Sequence, residues 1–126
     1  MSRAQSPVLL LVALLSTAGL QAAAETRLIM VEEQGCVWCE RWNAQVAPVY
    51  PKSPEGQRAP LQRMDIGDPV PDDLSFDGKF RYTPTFVLVD DGTEIDRIEG
   101  YPGQDFFWGM LDRMLRKLDT GAAETD

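Results

Sequence analysis

The sequence predicts one α/β domain built on a mixed four-stranded sheet with helices on both faces. Three observations carry this. Four short segments, residues 27–32, 61–66, 85–89 and 94–98, are apolar or alternate in the way strands do. Two longer segments, residues 36–47 and 104–118, repeat apolar residues at helical spacing. Their order is strand, helix, strand, then a strand–turn–strand unit and a closing helix, with one short helical turn before that unit. A crossover followed by a hairpin folds into a single mixed sheet. At 126 residues the chain has room for one such domain.

Each element has a local reason. Arg27-Leu-Ile-Met-Val-Glu32 is nearly continuous in apolar side chains, as a strand buried on both faces should be, and Gln34-Gly35 breaks it. In the following CVWCERWNAQVA, Cys39, Trp42 and Val46 fall on one helical face, and Pro48 and Pro51 end the helix. Ser53-Pro54-Glu55 offers a cap with proline at the first helical position, so a short helix starts there. Residues 67–78 are rich in Pro and Asp and read as a loop, with one helical turn near residues 72–75. Asp90-Asp91-Gly92 joins the strand of residues 85–89 to its return strand. On the last helix Phe107, Met110, Leu111, Met114, Leu115 and Leu118 share the inward face. Residues 119–126 have no periodicity and are expected to form a flexible tail.

Residues 1–24 read as a signal peptide and residues 25–118 as the domain. Arg3 gives a positive start, an apolar run spans residues 8–20, and Ala22-Ala23-Ala24 precedes Glu25. The apolar run is about 13 residues, short of the ~20 that span a bilayer. An exported, periplasmic domain is therefore expected, where a cysteine pair either persists as a disulfide or is kept reduced by a dedicated supply of electrons.

Composition removes several classes of function. Lys and Arg number 12 against 20 Asp and Glu, a net charge of −8, which repels a phosphate backbone and argues against nucleic-acid binding. There is no His, so Cys–His and Ser–His pairs and mixed Cys/His zinc sites are excluded. Two Cys are too few for a disulfide framework or a four-cysteine metal site. Neither a metal nor another cofactor is expected.

Those two residues, Cys36 and Cys39, carry the chemistry. A Cys-x-x-Cys at the first turn of a helix brings two sulfurs within bonding distance. The first sits beside unsatisfied backbone N–H groups and the positive end of the helix dipole, which stabilise a thiolate. Cys36 is the candidate nucleophile, and Cys39, one turn further in, the resolving thiol. A structural disulfide closing so short a loop would contribute little stability, and a metal site lacks partners.

The chain resembles the thioredoxin superfamily from about residue 27 to residue 118. Beyond the cysteine pair, Thr83-Pro84-Thr85 resembles that family's cis-proline segment, with Gly92 and Gly100 following at the family's spacing. The resemblance implies a thioredoxin-like fold, a redox-active Cys36–Cys39 disulfide, and substrate binding at Thr83 and Pro84. The segments VEEQGCVWCERW, YTPTFVLVDDG and RIEGYPGQDFFWG further resemble the periplasmic thioredoxin-like proteins of the bacterial sulfur-oxidation system. That implies a reductant whose partner is the system's sulfur-carrier protein. By the same analogy a membrane thiol-transport protein of the DsbD or CcdA kind would be the electron donor.

Two departures stand out. Met30 occupies the position of the family's buried Asp, and Glu32 and Glu33 read as solvated at the strand end rather than as substitutes for it. Gly35 stands where many thioredoxins have Trp, and Trp38 inside the motif is expected to supply an aromatic substrate-binding surface or to pack. Val37 and Trp38 bring no charge near the sulfurs, while Glu32, Glu33 and Glu40 disfavour a thiolate. Both point to a reductant. A disulfide-donating oxidant is one alternative. Another is a non-catalytic docking protein using Tyr101, Phe106 and Trp108 as an exposed aromatic surface.

Overall fold

The structure is a computed structural model and describes residues 25–123. The expected signal peptide, residues 1–24, and residues 124–126 of the expected tail lie outside the described residues. Strands β1 (Thr26–Glu32), β2 (Leu61–Asp65), β3 (Thr85–Asp90) and β4 (Thr93–Glu99) form one sheet in the order β2-β1-β3-β4. β1 pairs with β2 in parallel, whereas β1–β3 and β3–β4 are antiparallel. The mixed four-stranded sheet is the expected one.

Helix α1 (Val37–Gln45) follows β1, and a 3₁₀ turn at Tyr50–Lys52 leads into α2 (Pro54–Arg58). The cap read at Ser53 is in place: its Oγ accepts from Gly56 N at 2.9 Å, with Pro54 at the first helical position. The β3–β4 turn places Asp91 and Gly92 at φ 50° and 79°, and a Cβ on Gly92 would stand 2.2 Å from Asp73 O. Only glycine fits there.

Two cores lie on opposite sides of the sheet. Leu28, Met30, Phe86, Leu88 and Ile98 meet Cys39 and Trp42 of α1 and Phe107, Leu111, Met114 and Leu115 of helix α3 (Gln104–Ala123). Ile29, Val31, Val87 and Val89 meet Met64 and Leu74, backed by Ile66, Phe76 and Phe80. The sequence suggested helices on both faces. Among the described residues the helical side chains in these cores all belong to the first, and the loop of residues 66–80 covers the second face.

Two further expectations are corrected. Where a helical turn near residues 72–75 was expected, residues 71–74 make a single hydrogen-bonded turn, Leu74 N to Pro71 O at 3.0 Å, and no helix follows. The chain cannot coil there because Ser75 is held extended beside β4, its N on Gly92 O and its O on Glu94 N. At the other end α3 runs on through Ala123, where a tail from residue 119 was expected. Ala is the strongest helix former, and Arg58 on α2 donates to Asp119 at 2.5 Å. On α3, Phe107, Leu111, Met114 and Leu115 are buried as expected, while Met110 and Leu118 are half-buried against the same core.

Candidate active site

Strand β1 ends in the middle of the sheet's edge, and the turn Glu33–Gly35, with Gly35 at φ 80°, redirects the chain into α1. Cys36 is the N-cap of that helix. Its sulfur accepts from Cys39 N at 3.1 Å, its carbonyl from Glu40 N at 3.1 Å, and its own N–H points to Glu33 O at 3.4 Å. Cys36 and Cys39 are joined as a disulfide, their Cα atoms 5.2 Å apart. Cys36 is 9% exposed and Cys39 4%. The outer sulfur therefore occupies the helix start with a backbone donor directed at it, the environment that favours a thiolate when the pair is reduced.

The pair rests on a dense aromatic base. Trp42, one turn below Cys39 and fully buried, packs on Phe86 at 5.1 Å, Phe107 at 5.7 Å and Tyr50 at 6.1 Å between ring centres. The Tyr50 hydroxyl donates to Ala59 O at 2.6 Å, and burial pushes its ionisation far above the ordinary phenol range. Val37 and Trp38, by contrast, face outward, 62% and 51% exposed, and the Arg41 guanidinium lies 4.8 Å over the Trp38 ring.

The second candidate segment leads into β3. The Thr83–Pro84 peptide is cis. Pro84 is buried and its carbonyl accepts from Gly100 N at 2.7 Å, while Thr85 Oγ1 donates to Tyr82 O at 2.6 Å. Thr83 reaches the cysteine-bearing turn through its hydroxyl, which donates to Glu33 Oε1 at 2.7 Å. Thr83 is thus linked through Glu33 to the turn that carries Cys36, and Trp38 is exposed on the outer turn of α1.

Glu33 is exposed at the strand end and Glu32 partly so, as the sequence suggested, but each carboxylate also has a partner. Glu32 pairs with Arg63 at 2.5 Å, and Arg63 also donates to Asn43 Oδ1 at 2.8 Å and to Met30 Sδ at 3.5 Å. Met30 is fully buried, so an apolar thioether stands where an acid was missed, with a guanidinium at its edge. These partners were invisible in the sequence because they lie 31 and 50 residues apart. Of the three aromatics weighed for a docking surface, Tyr101 is buried with its hydroxyl on Gln45 Oε1 at 2.6 Å, and Trp108 stacks on Tyr50 at 6.0 Å. Phe106 alone of the three is exposed, at 71%, so they make no patch.

The crossover, the hairpin, and a disulfide spanning the first turn of the helix after β1 define a thioredoxin-fold thiol-disulfide oxidoreductase. Comparison of the structure agrees: the chain is similar to the periplasmic thioredoxin SoxS from Paracoccus pantotrophus, solved in its reduced form. The two are 48% identical with a TM-score of 0.73, over 75% of this chain and 99% of that one. The chain belongs to the SoxS family of thioredoxins. A scan against protein-family models and a search of curated proteins returned no match.

Proposed function

We propose that the protein is a periplasmic reductant that cleaves a disulfide or sulfur adduct on a partner protein, the sulfur carrier of a sulfur-oxidation system. The observation that carries this is Cys36 at the N-cap of α1, its sulfur bonded to Cys39 and receiving the Cys39 N–H. The compartment and the partner are supported by the leader-like residues 1–24 and by what the SoxS relative is called. In the reduced protein the Cys36 thiolate attacks one sulfur of the substrate disulfide held at Thr83–Pro84, and the substrate's other sulfur leaves as a thiolate. Cys39, having lost its proton, then attacks Cys36 Sγ, which releases the substrate's second sulfur. Two electrons pass to the substrate, and the Cys36–Cys39 disulfide is the product state. A membrane thiol-transport protein of the DsbD or CcdA kind would return those electrons.

The direction is supported by neighbours that do little to hold a thiolate. Val37 and Trp38 are uncharged, and the acids Glu33 and Glu40 stand on either side of the pair in sequence. The test is the reduction potential of the pair, titrated against glutathione or dithiothreitol, with Cys39→Ser used to trap partners. A value near or below about −220 mV is expected, and one near about −120 mV, the range of strong oxidants, would make the protein a disulfide donor instead. Cys39→Ser should accumulate a mixed disulfide with the carrier, and Cys36→Ser should accumulate none.

A further inference from the structure

The β1–β3 ladder ends beside the cysteine pair in an unusual way. Its last paired residues are Val31 and Thr85. One step further on each strand, Glu32 would face Pro84, which has no N–H to donate. A second step brings Glu33 opposite Thr83. There the link between the strands is made by side chains: Thr83 Oγ1 donates to Glu33 Oε1 at 2.7 Å, across 50 residues of sequence. Glu33 is also the residue whose carbonyl faces Cys36 N. One residue therefore holds both the turn that sets down the nucleophile and the loop that precedes Pro84. The neighbouring acid is not available for this, because Glu32 is engaged by Arg63.

We propose that Glu33 is a positioning residue whose carboxylate acts as the last rung of the β1–β3 ladder. It holds the Thr83 main chain, where a partner segment docks, at a fixed offset from Cys36. This rests on the exchange reaction proposed above. What the rung requires is an acceptor oxygen and not a charge, so the amide of glutamine serves as well, whereas alanine does not.

The test is reduction of insulin, as a model protein disulfide, with dithiothreitol supplying electrons to the purified protein. Glu33→Ala should raise the KM for insulin about threefold to tenfold, the fold-change that one net hydrogen bond represents, while any change in kcat from losing the acid near Cys36 should be the same in Glu33→Gln. Glu33→Gln should restore the wild-type KM. Thr83→Val should match Glu33→Ala, and the double variant should be no worse than either, because both remove the same bond. A wild-type KM in Glu33→Ala would overturn the proposal. So would a Glu33→Gln as weak as the alanine variant, or single effects that add in the double. Cys36→Ser separates the two levels. Insulin turnover above the rate with dithiothreitol alone that survives Cys36→Ser overturns the exchange reading and the rung together. Turnover that needs Cys36 but ignores Glu33→Ala overturns the rung alone.

Discussion

On one face of the sheet Leu28, Met30, Phe86 and Leu88 meet two helices around Trp42 and Phe107; on the other Ile29, Val31, Val87 and Val89 meet a loop. The helical face satisfies its own backbone hydrogen bonds and can be packed with large aromatics. The loop of residues 66–84 has no such internal ladder, so beside the packing of Leu74, Phe76 and Phe80 its backbone is held by polar staples. Glu94, its side chain 2% exposed, accepts from Asp77 N and from Arg97, and Arg97 donates onward to Asp77 O and Lys79 O, each at 3.2 Å. The Arg97 guanidinium also lies 5.0 Å over the Phe80 ring. The consequence is a division of labour at the site. The cysteine pair sits on the side fixed by packing, and Thr83 arrives at the end of the segment fixed by hydrogen bonds.

Trp42→Ala should break the packed side, and it carries the largest expected effect. A fully buried indole touching three aromatic rings leaves a void the sheet cannot close, so about 3–5 kcal/mol of stability should be lost. Urea unfolding measures it. A loss under about 1 kcal/mol would mean that this face collapses around the gap and is no more rigid than the loop.

Arg97→Met sharpens the comparison from the other side. Methionine keeps the aliphatic reach over Phe80 but removes every staple the guanidinium makes, and it leaves the Glu94 carboxylate buried without its cation. In the intact protein Arg97 is held more firmly protonated than usual, first by its hydrogen bond to Glu94. The variant should cost about 1–3 kcal/mol, less than the tryptophan, and should speed proteolysis within residues 66–84. A cost equal to that of Trp42→Ala would show that both faces depend on one cooperative unit.

What the sequence made legible follows the same division. The strands, the face of α1 bearing Cys39 and Trp42, and the capped start at Ser53 all depend on neighbours within a turn or a strand, and each stands where its pattern put it. The covering of the second face did not show, because Leu74, Phe76 and Phe80 are set in a Pro-, Asp- and Gly-rich stretch that reads as loop. The pairs Glu32–Arg63 and Glu33–Thr83 were equally hidden. Charge and hydroxyl positions on separate elements gain meaning only once β1 has β2 and β3 beside it. The last turn of α3 was missed for a related reason: residues 119–123 show no helical periodicity, and the ion pair that Arg58 makes with Asp119 comes from a separate element.

That support gives the smallest expected effect. Arg58 and Asp119 are 42% and 62% exposed, so water and salt screen the pair despite its 2.5 Å contact. Arg58→Ala should lower stability by less than about 1 kcal/mol, and the difference from the wild type should shrink in about 1 M salt, where the screening length falls to about 3 Å. Arg58 lies at the end of α2, on the packed side, and yet it acts as the loop's staples do, through charge. A larger loss that persisted in salt would show the last turn of α3 to be part of the packed face rather than an extension hung from it. In that case helix packing, and not a surface ion pair, would be what carries α3 past Leu118.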